Sequence, residues 1–350
     1  MRPCHSDRPA KGGRSVSISV RNSDNPRCGA KAPQYASTFI EWVPVLRFCL
    51  AFLFLILPAS LAHAACQGKE ITEGVYNPPF CVPAEVKTIV TLDPLLTLGL
   101  LIELEAPVVA TPYMAIQDPA VLQVVRQAKM IDLGNPKEPS LERIAALKPD
   151  LIIGSTEGHS PIYETASKIA PTVLVNHMDW KKYLALLSEM TGRKGAAQEA
   201  LAAYEKRVTS IRARMKDVTV STVRFAPGRF VVFLDGPAAY APFAVLREAG
   251  VKRTAYETVT DGTIVKRPDW EELANLDGDI LLYVSASGFE SGPDDALEQE
   301  VIGNPLWQLL PAVRNGQAYR VDRIAWQSFH GIASANRILD DIERYVLADR

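Results

Sequence analysis

Three histidines, His159, His177 and His330, are the side chains with which this chain could hold a bare metal ion, and Arg224, in the phrase VRFAPG, is one that could meet an anion. A zinc or manganese centre draws several His and carboxylate ligands together. Here the three histidines fall on three separate loops with no paired spacing, and they read as solvated loop residues. No GxSxG elbow, Walker A loop or HExxH is present, and after the first strand stands Leu92-Asp93-Pro94-Leu95 where a GxGxxG would be needed. The inventory therefore favours binding over catalysis, with a secreted α/β enzyme as the rival. Arg224 ends an apolar strand; a fixed guanidinium there can attract an anion and donate to its oxygens, while an ordinary surface arginine is the plain alternative. Tyr113, Trp180 and Trp326 stand just past strand ends, where packing does not demand a large ring, and Tyr240 and Phe329 lie on adjoining loops. Such rings can line a cleft, though aromatics are more often core, and Trp180 reads as structural.

These residues need a scaffold, and the apolar pattern supplies one. From Lys87 onward short apolar strands alternate with helical stretches, as expected of a parallel α/β sheet. Residues 179–216 are then rich in Ala, Leu, Glu, Lys and Arg at helical spacing, and a second set of strands and helices follows. The fold class is α/β: two lobes with central, mainly parallel sheets, joined by one long helix, with the ligand cleft between them. Residues 65–194 make the first lobe, 195–217 the linking helix and 218–350 the second lobe. One phrase is written in both lobes: SLERIAALKPDLIIGS at 140–155 and DWEELANLDGDILLYV at 269–284, aligning Glu142 with Glu271, Ala145 with Ala274, Leu147 with Leu276 and Asp150 with Asp279. Each copy reads as a short amphipathic helix, a turn and a buried strand. A glutamate near a helix start complements the helix dipole, worth ~0.3–1 kcal/mol, and this alone can explain Glu142 or Glu271.

The apolar run FCLAFLFLIL from Phe48 to Leu57, followed by Ala62-His63-Ala64, reads as a secretory signal cleaved after Ala64, and it is short for a membrane span. Residues 1–64 are thus an N-terminal extension and signal, with the true start near Val43 or Val45. The chain's 38 basic and 40 acidic residues lose eight and three with that segment, leaving a net charge of −7. Such a surface disfavours nucleic acid, and an anionic ligand would need a locally basic pocket. Cys66 and Cys81 alone remain after cleavage. In an exported chain they read as one disulfide, with lipidation of Cys66 as the alternative.

The phrases LLIELEAPVVA, SLERIAALKPDLIIGS, YETASKIAPTVLVN, VRFAPGRF, NPLWQLLPAVRNGQAYRVD and ILDDIERYV, in this order and spacing, resemble the periplasmic substrate-binding proteins of iron-siderophore ABC transporters, among them the ferric-enterobactin-binding type. The resemblance covers nearly all of the chain after residue 64. It implies a monomeric, non-catalytic periplasmic protein without a cofactor, whose ligand is a ferric siderophore, catecholate-type ahead of hydroxamate. It implies as partners an inner-membrane permease and its ATPase. Ligand contact is implied for Arg224, and docking to arginine pockets of the two permease subunits for Glu142 and Glu271. Haem, through Tyr113 as an iron ligand, or cobalamin is the alternative cargo. A single helix across the lobes is expected to resist wide closure.

Overall fold

The computed structural model describes residues 66–176, 179–286 and 295–348. The signal-like run, the cleavage position after Ala64 and His177 lie outside the described residues. Lys69–Ile71 (β1) and Phe80–Val82 (β2) form an antiparallel hairpin, and the Cys66–Cys81 disulfide, with Cα atoms 5.5 Å apart, closes the same loop.

The first-lobe sheet is built from Ile89–Thr91 (β3), Val108–Thr111 (β4), Ile131–Asp132 (β5), Leu151–Ser155 (β8) and Thr172–Val175 (β9), in the order β5-β4-β3-β8-β9 and parallel throughout. A two-residue ribbon, Gly134–Asn135 (β6) with Glu138–Pro139 (β7), stands beside it. Every residue of β8 and β9 is buried, which is why these strands are apolar runs rather than alternations. Helices α1 (Leu96–Glu103), α2 (Pro119–Gln127), α3 (Leu141–Leu147) and α4 (Trp180–Met190) cover the sheet. Their starts are set by short polar side chains: Asp118 accepts from Ala120 N–H ahead of Pro119, Ser140 from Arg143 N–H, and Asp179 from Lys181 and Lys182 N–H.

The linking helix, α5, runs Lys194–Arg212, about 28 Å at 1.5 Å per residue. It begins where Gly192 turns left-handed (φ 70°), separating it from α4, and it ends five residues before the expected position. Ala197, Tyr204, Val208 and Ile211 bury one stripe of it.

The second-lobe sheet contains Thr219–Ala226 (β10), Arg229–Phe233 (β11), Lys252–Arg253 (β12), Val265–Lys266 (β13), Ile280–Ser285 (β14) and Ala318–Arg320 (β15), ordered β13-β11-β10-β14-β15. β12, β14 and β15 run parallel to β10, while β11 runs antiparallel to both of its neighbours, β10 and β13. β14 occupies one side of β10 from Val220 to Phe225. The other side is therefore shared by β12 at Thr219–Val220 and β11 at Arg224–Ala226. Helices α6 (Ala241–Glu248), α7 (Asp295–Ile302) and α8 (Ile332–Asp341) complete the lobe.

The repeated phrase has a structural explanation. In the first lobe Asp150 Oδ2 accepts from Thr88 N–H and Oγ1–H, both at 2.9 Å, while Asp150 N–H donates to Thr88 Oγ1 at 3.0 Å. In the second, Asp279 Oδ2 accepts from Thr219 N–H (2.7 Å) and Oγ1–H (2.9 Å), and Asp279 N–H returns a bond at 3.2 Å. The same Asp–Thr clasp fastens the entry of a buried strand to the entry of its neighbour in each sheet, which requires the aspartate twice. The two helices differ, however. The first copy is α3, but the second is a single 3-10 turn, Glu272–Asn275, closed by Asn275 Nδ2 donating to Glu272 O at 2.8 Å. The expected second amphipathic helix is corrected to this turn.

Candidate functional site

The facing edge of the first lobe is made by the loops after β3, β4 and β8. After β3, Asp93 accepts from Leu95 N–H (3.0 Å), Thr97 N–H (2.9 Å) and Thr97 Oγ1–H (2.6 Å), so one buried carboxylate organises the start of α1. Thr97 Oγ1 is also 2.8 Å from the Tyr183 hydroxyl, whose pKa is pushed up by complete burial. After β4, the Tyr113 hydroxyl donates to Met130 O within its own lobe, and burial followed by the Asp132 charge raises its pKa. After β8, His159 is buried; its Nδ1 accepts from Ser155 N–H at 3.0 Å, leaving the proton on Nε2, and burial lowers its pKa.

From the second lobe, Arg224 is half-buried near the carboxyl end of β10, with Nε donating to Ala286 O at 3.1 Å just past β14. Tyr240 is half-buried beside it. Its hydroxyl donates to Gln327 O at 2.9 Å, its ring stacks on Phe233 at 5.4 Å, and it feels the charges of both Arg224 and first-lobe Asp93. A crevice of about 10 Å³, room for one water, separates Arg224 from Val321 and Gln327.

Packing fixes two of the aromatic rings that the sequence put forward, and one of them, Trp326, also lines the Arg224 crevice. Trp326 is 2% exposed, packs on Phe243 at 5.7 Å and donates from Nε1 to Asp341 Oδ2 at 2.7 Å, so its ring belongs to the second-lobe core. Phe329 is 2% exposed and lies 6.1 Å from the Trp180 ring of the first lobe. The premise that packing demands no ring at these positions fails for both. Trp180 is buried against Tyr204 at 5.4 Å, a structural residue as expected. The reading of the histidines as solvated is corrected too: His159 and His330 are 4% and 0% exposed. Neither ring nitrogen of His330 has a hydrogen-bond partner among the described residues, and burial lowers its pKa in the face of Asp118 and Asp93. Among the described residues no three His, Cys, Asp or Glu side chains cluster as a metal site.

The lobes meet over a packed junction whose polar residues sequence reasoning missed. Asp118, 2% exposed, pairs with Arg337 of α8; Gln117 accepts from Arg323; and Glu103 accepts from Ala333 N–H at the start of α8. On the other flank Lys181 pairs with Glu248 at 2.8 Å, and Tyr204 of α5 donates to the same carboxylate at 2.8 Å. Gly99 lets α1 touch the second-lobe backbone: a Cβ there would sit 2.1 Å from His330 O. The Asp118-Pro119 pair was the one available signal, since it marks a helix start; the cross-lobe partners carry no local signature.

A family model described as "Periplasmic binding protein" matches residues 89–325, spanning both sheets and the linking helix. The chain belongs to the periplasmic binding protein family. Within that family it is 31% identical over 226 residues to the probable siderophore-binding lipoprotein YfiY of Bacillus subtilis, covering 62% of this chain and 69% of the relative. It is 28% identical over 303 residues to the ferric enterobactin-binding periplasmic protein FepB of Escherichia coli, covering 79% and 91%. Among solved structures, Staphylococcus aureus SirA complexed with staphyloferrin B superposes with a TM-score of 0.68 at 23% identity, covering 79% of this chain and 98% of that one. This last likeness shows that the periplasmic binding protein shares that fold. Among the described residues no helix is long and apolar enough to cross a membrane.

Proposed function

We propose that this protein captures a ferric siderophore between its lobes, without catalysis and without a resident cofactor, and delivers it to an inner-membrane ABC permease and its ATPase for iron uptake. The observation that carries the reading is Arg224, held by Ala286 O at the carboxyl edge of the second sheet with Tyr240 alongside, in a chain whose relatives bind ferric siderophores. Carboxyl edges of parallel strands are where open α/β sheets bind ligands. The guanidinium favours a negatively charged complex, which puts catecholates ahead of hydroxamates. Tyr113 speaks against haem as cargo. Its hydroxyl is spent on Met130 O, and burial disfavours the phenolate that iron ligation would need. The disulfide supports an exported, unanchored protein in the periplasm, because the Cys66 sulphur bonded to Cys81 has no valence left for a lipid thioether.

Titration of the purified protein with ferri-bacillibactin, ferric citrate, a ferric trihydroxamate, haemin and cobalamin, read by tryptophan fluorescence, tests the reading. Quenching by a ferric siderophore is expected. A response to haemin alone, with a Soret shift, would overturn it.

Glu142 and Glu271 are both exposed, one on each lobe, at the starts of α3 and of the 3-10 turn. One carboxylate per lobe suits a permease of near two-fold symmetry, and charges so placed govern encounter and register rather than ligand affinity. The double change Glu142→Arg, Glu271→Arg is expected to leave siderophore affinity intact while lowering uptake and stimulation of the ATPase. Unimpaired transport would leave only helix-dipole chemistry and shared ancestry for the two glutamates.

A further inference from the structure

His330 is fully buried where the lobes touch, and neither of its ring nitrogens has a hydrogen-bond partner among the described residues. Buried polar groups left unsatisfied are rare enough in folded proteins to call for a role. The backbone around this one leaves no slack. His330 N–H donates to Ser334 Oγ at 2.9 Å in the first turn of α8, and Gly331 is left-handed (φ 84°), where a Cβ would lie 2.5 Å from Leu100 of α1. His330 O in turn abuts Gly99 of α1. The residue is clamped between a helix of each lobe, so water reaches the ring only when those helices part.

Charged groups act on it from both lobes. Asp93, ahead of α1, is engaged by Leu95 N–H, Thr97 N–H and Thr97 Oγ1–H; Asp118, at the start of α2, is engaged by Ala120 N–H and Arg337; and Arg337, on α8, also reaches Asp322 at 3.5 Å. Glu103, one turn along α1 from Gly99, accepts from Ala333 N–H at the start of α8. A neutral imidazole asks nothing of these groups. A proton added to it makes a buried cation with no acceptor of its own, and Asp118 can serve that cation only by leaving Arg337, an ion pair that itself joins the lobes.

We propose that His330 is an acid-sensitive latch of the lobe junction: neutral, it lets α8 pack on α1, and protonated, it parts them, loosening the setting of the lobes and their hold on cargo. The cargo half rests on the ferric-siderophore reading above. The sign follows from burial, which lowers the pKa of His330 in the closed junction against the pull of Asp118 and Asp93. An opened junction returns the ring to an ordinary histidine value of about 6.5 and binds the proton more readily, so the closed form loses ground below about pH 6.5, by up to about tenfold per pH unit. Asp118 stays ionised there, because despite burial Arg337 and Ala120 N–H hold its carboxyl below the ordinary value. Glu103 acts with the opposite sign: burial raises its pKa, so its protonation favours the closed form. The loosening is therefore assigned to His330.

Amide hydrogen exchange of the wild-type protein at about pH 7.5, 6.5 and 5.5, corrected for the intrinsic exchange rate, tests the latch without any variant. Protection of residues 96–104 and 329–337 is expected to fall about threefold to tenfold between the last two, while β8 and β14 keep theirs. Unchanged protection in those two segments, or an equal loss throughout both sheets, would overturn the inference. His330→Leu sacrifices no side-chain hydrogen bond, so it is expected to melt at or above the wild-type temperature at about pH 7.5 and to keep its protection at about pH 5.5. A loss of protection equal to the wild type's would overturn the inference as well. Fluorescence titration with ferri-bacillibactin reads the cargo half, the comparison with the variant cancelling any protonation of the complex itself. Equal affinities are expected at about pH 7.5, and at about pH 5.5 wild type should bind about threefold to tenfold more weakly than His330→Leu. The same ratio at both values would overturn the cargo half. Wild-type protein that binds no ferric complex at about pH 7.5 would instead defeat the ferric-siderophore reading, while the exchange profile still decides the latch.

Discussion

Glu257→Ala is expected to cost about 3–5 kcal/mol of unfolding free energy, the loss typical of stranding one member of a buried ion pair. Glu257 and Arg253 have side chains fully removed from solvent and meet at 2.6 Å. They sit in the seam where β12 ends and β11 has not yet begun along one side of β10. Glu257 Oε1 accepts from Thr222 N–H at 2.7 Å, and Arg253 donates to Val220 O at 3.0 Å and Phe233 O at 3.1 Å, so the pair serves backbone groups of both β10 and β11. That detail decides what a rescue would do. Replacing a buried pair with apolar residues of similar size is often harmless, but here Arg253→Met with Glu257→Leu would remove the side-chain partners of three backbone groups, and each group left unpaired costs about 1–3 kcal/mol. The double variant should therefore remain well below wild type. Urea unfolding followed by near-ultraviolet circular dichroism measures both, and a loss below about 1 kcal/mol for Glu257→Ala would place the pair with inconsequential surface bridges.

Arg224→Ala is expected to weaken ferric-siderophore binding about tenfold to a hundredfold, the worth of a charge-assisted contact of roughly 1.5–3 kcal/mol. Arg224 stands two residues beyond the Glu257 seam on the same strand, so the seam is part of what aims it. Its Nε bond to Ala286 O fixes the guanidinium plane against β14. Arg224→Lys should recover only part of the affinity, since an ammonium keeps the charge but not the planar fork. Fluorescence titration against ferri-bacillibactin reads all three proteins, and equal affinity in Arg224→Ala would remove this residue from the site.

Much of this was legible along the chain because it is written in local periodicity. Wholly apolar runs such as Leu151–Ser155 and Ile280–Ser285 announce strands buried on both faces, and the Ala- and Glu-rich stretch after Gly192 announces α5. The two lobes, their mainly parallel sheets and the Cys66–Cys81 bond follow from such signals and from the count of cysteines left after residue 64. Arg224 could be picked out because it ends a strand, a position that repeats from one α/β protein to another.

Which rings and charges share a neighbourhood was not legible, because those contacts join residues far apart in sequence. Trp326 and Phe329 looked free to line a cleft until Phe243, Asp341 and Trp180 closed around them. His330 looked solvated until α1, with a glycine at position 99, came close enough to bury it. The repeated aspartate carried no sign of its role, since its threonine partners stand roughly sixty residues upstream and outside the repeated phrase. Arg323 and Gln117 lie more than two hundred residues apart, and no spacing rule connects them. A side chain's neighbours across a lobe junction depend on how two sheets are set against one helix, and local periodicity carries no information about that angle.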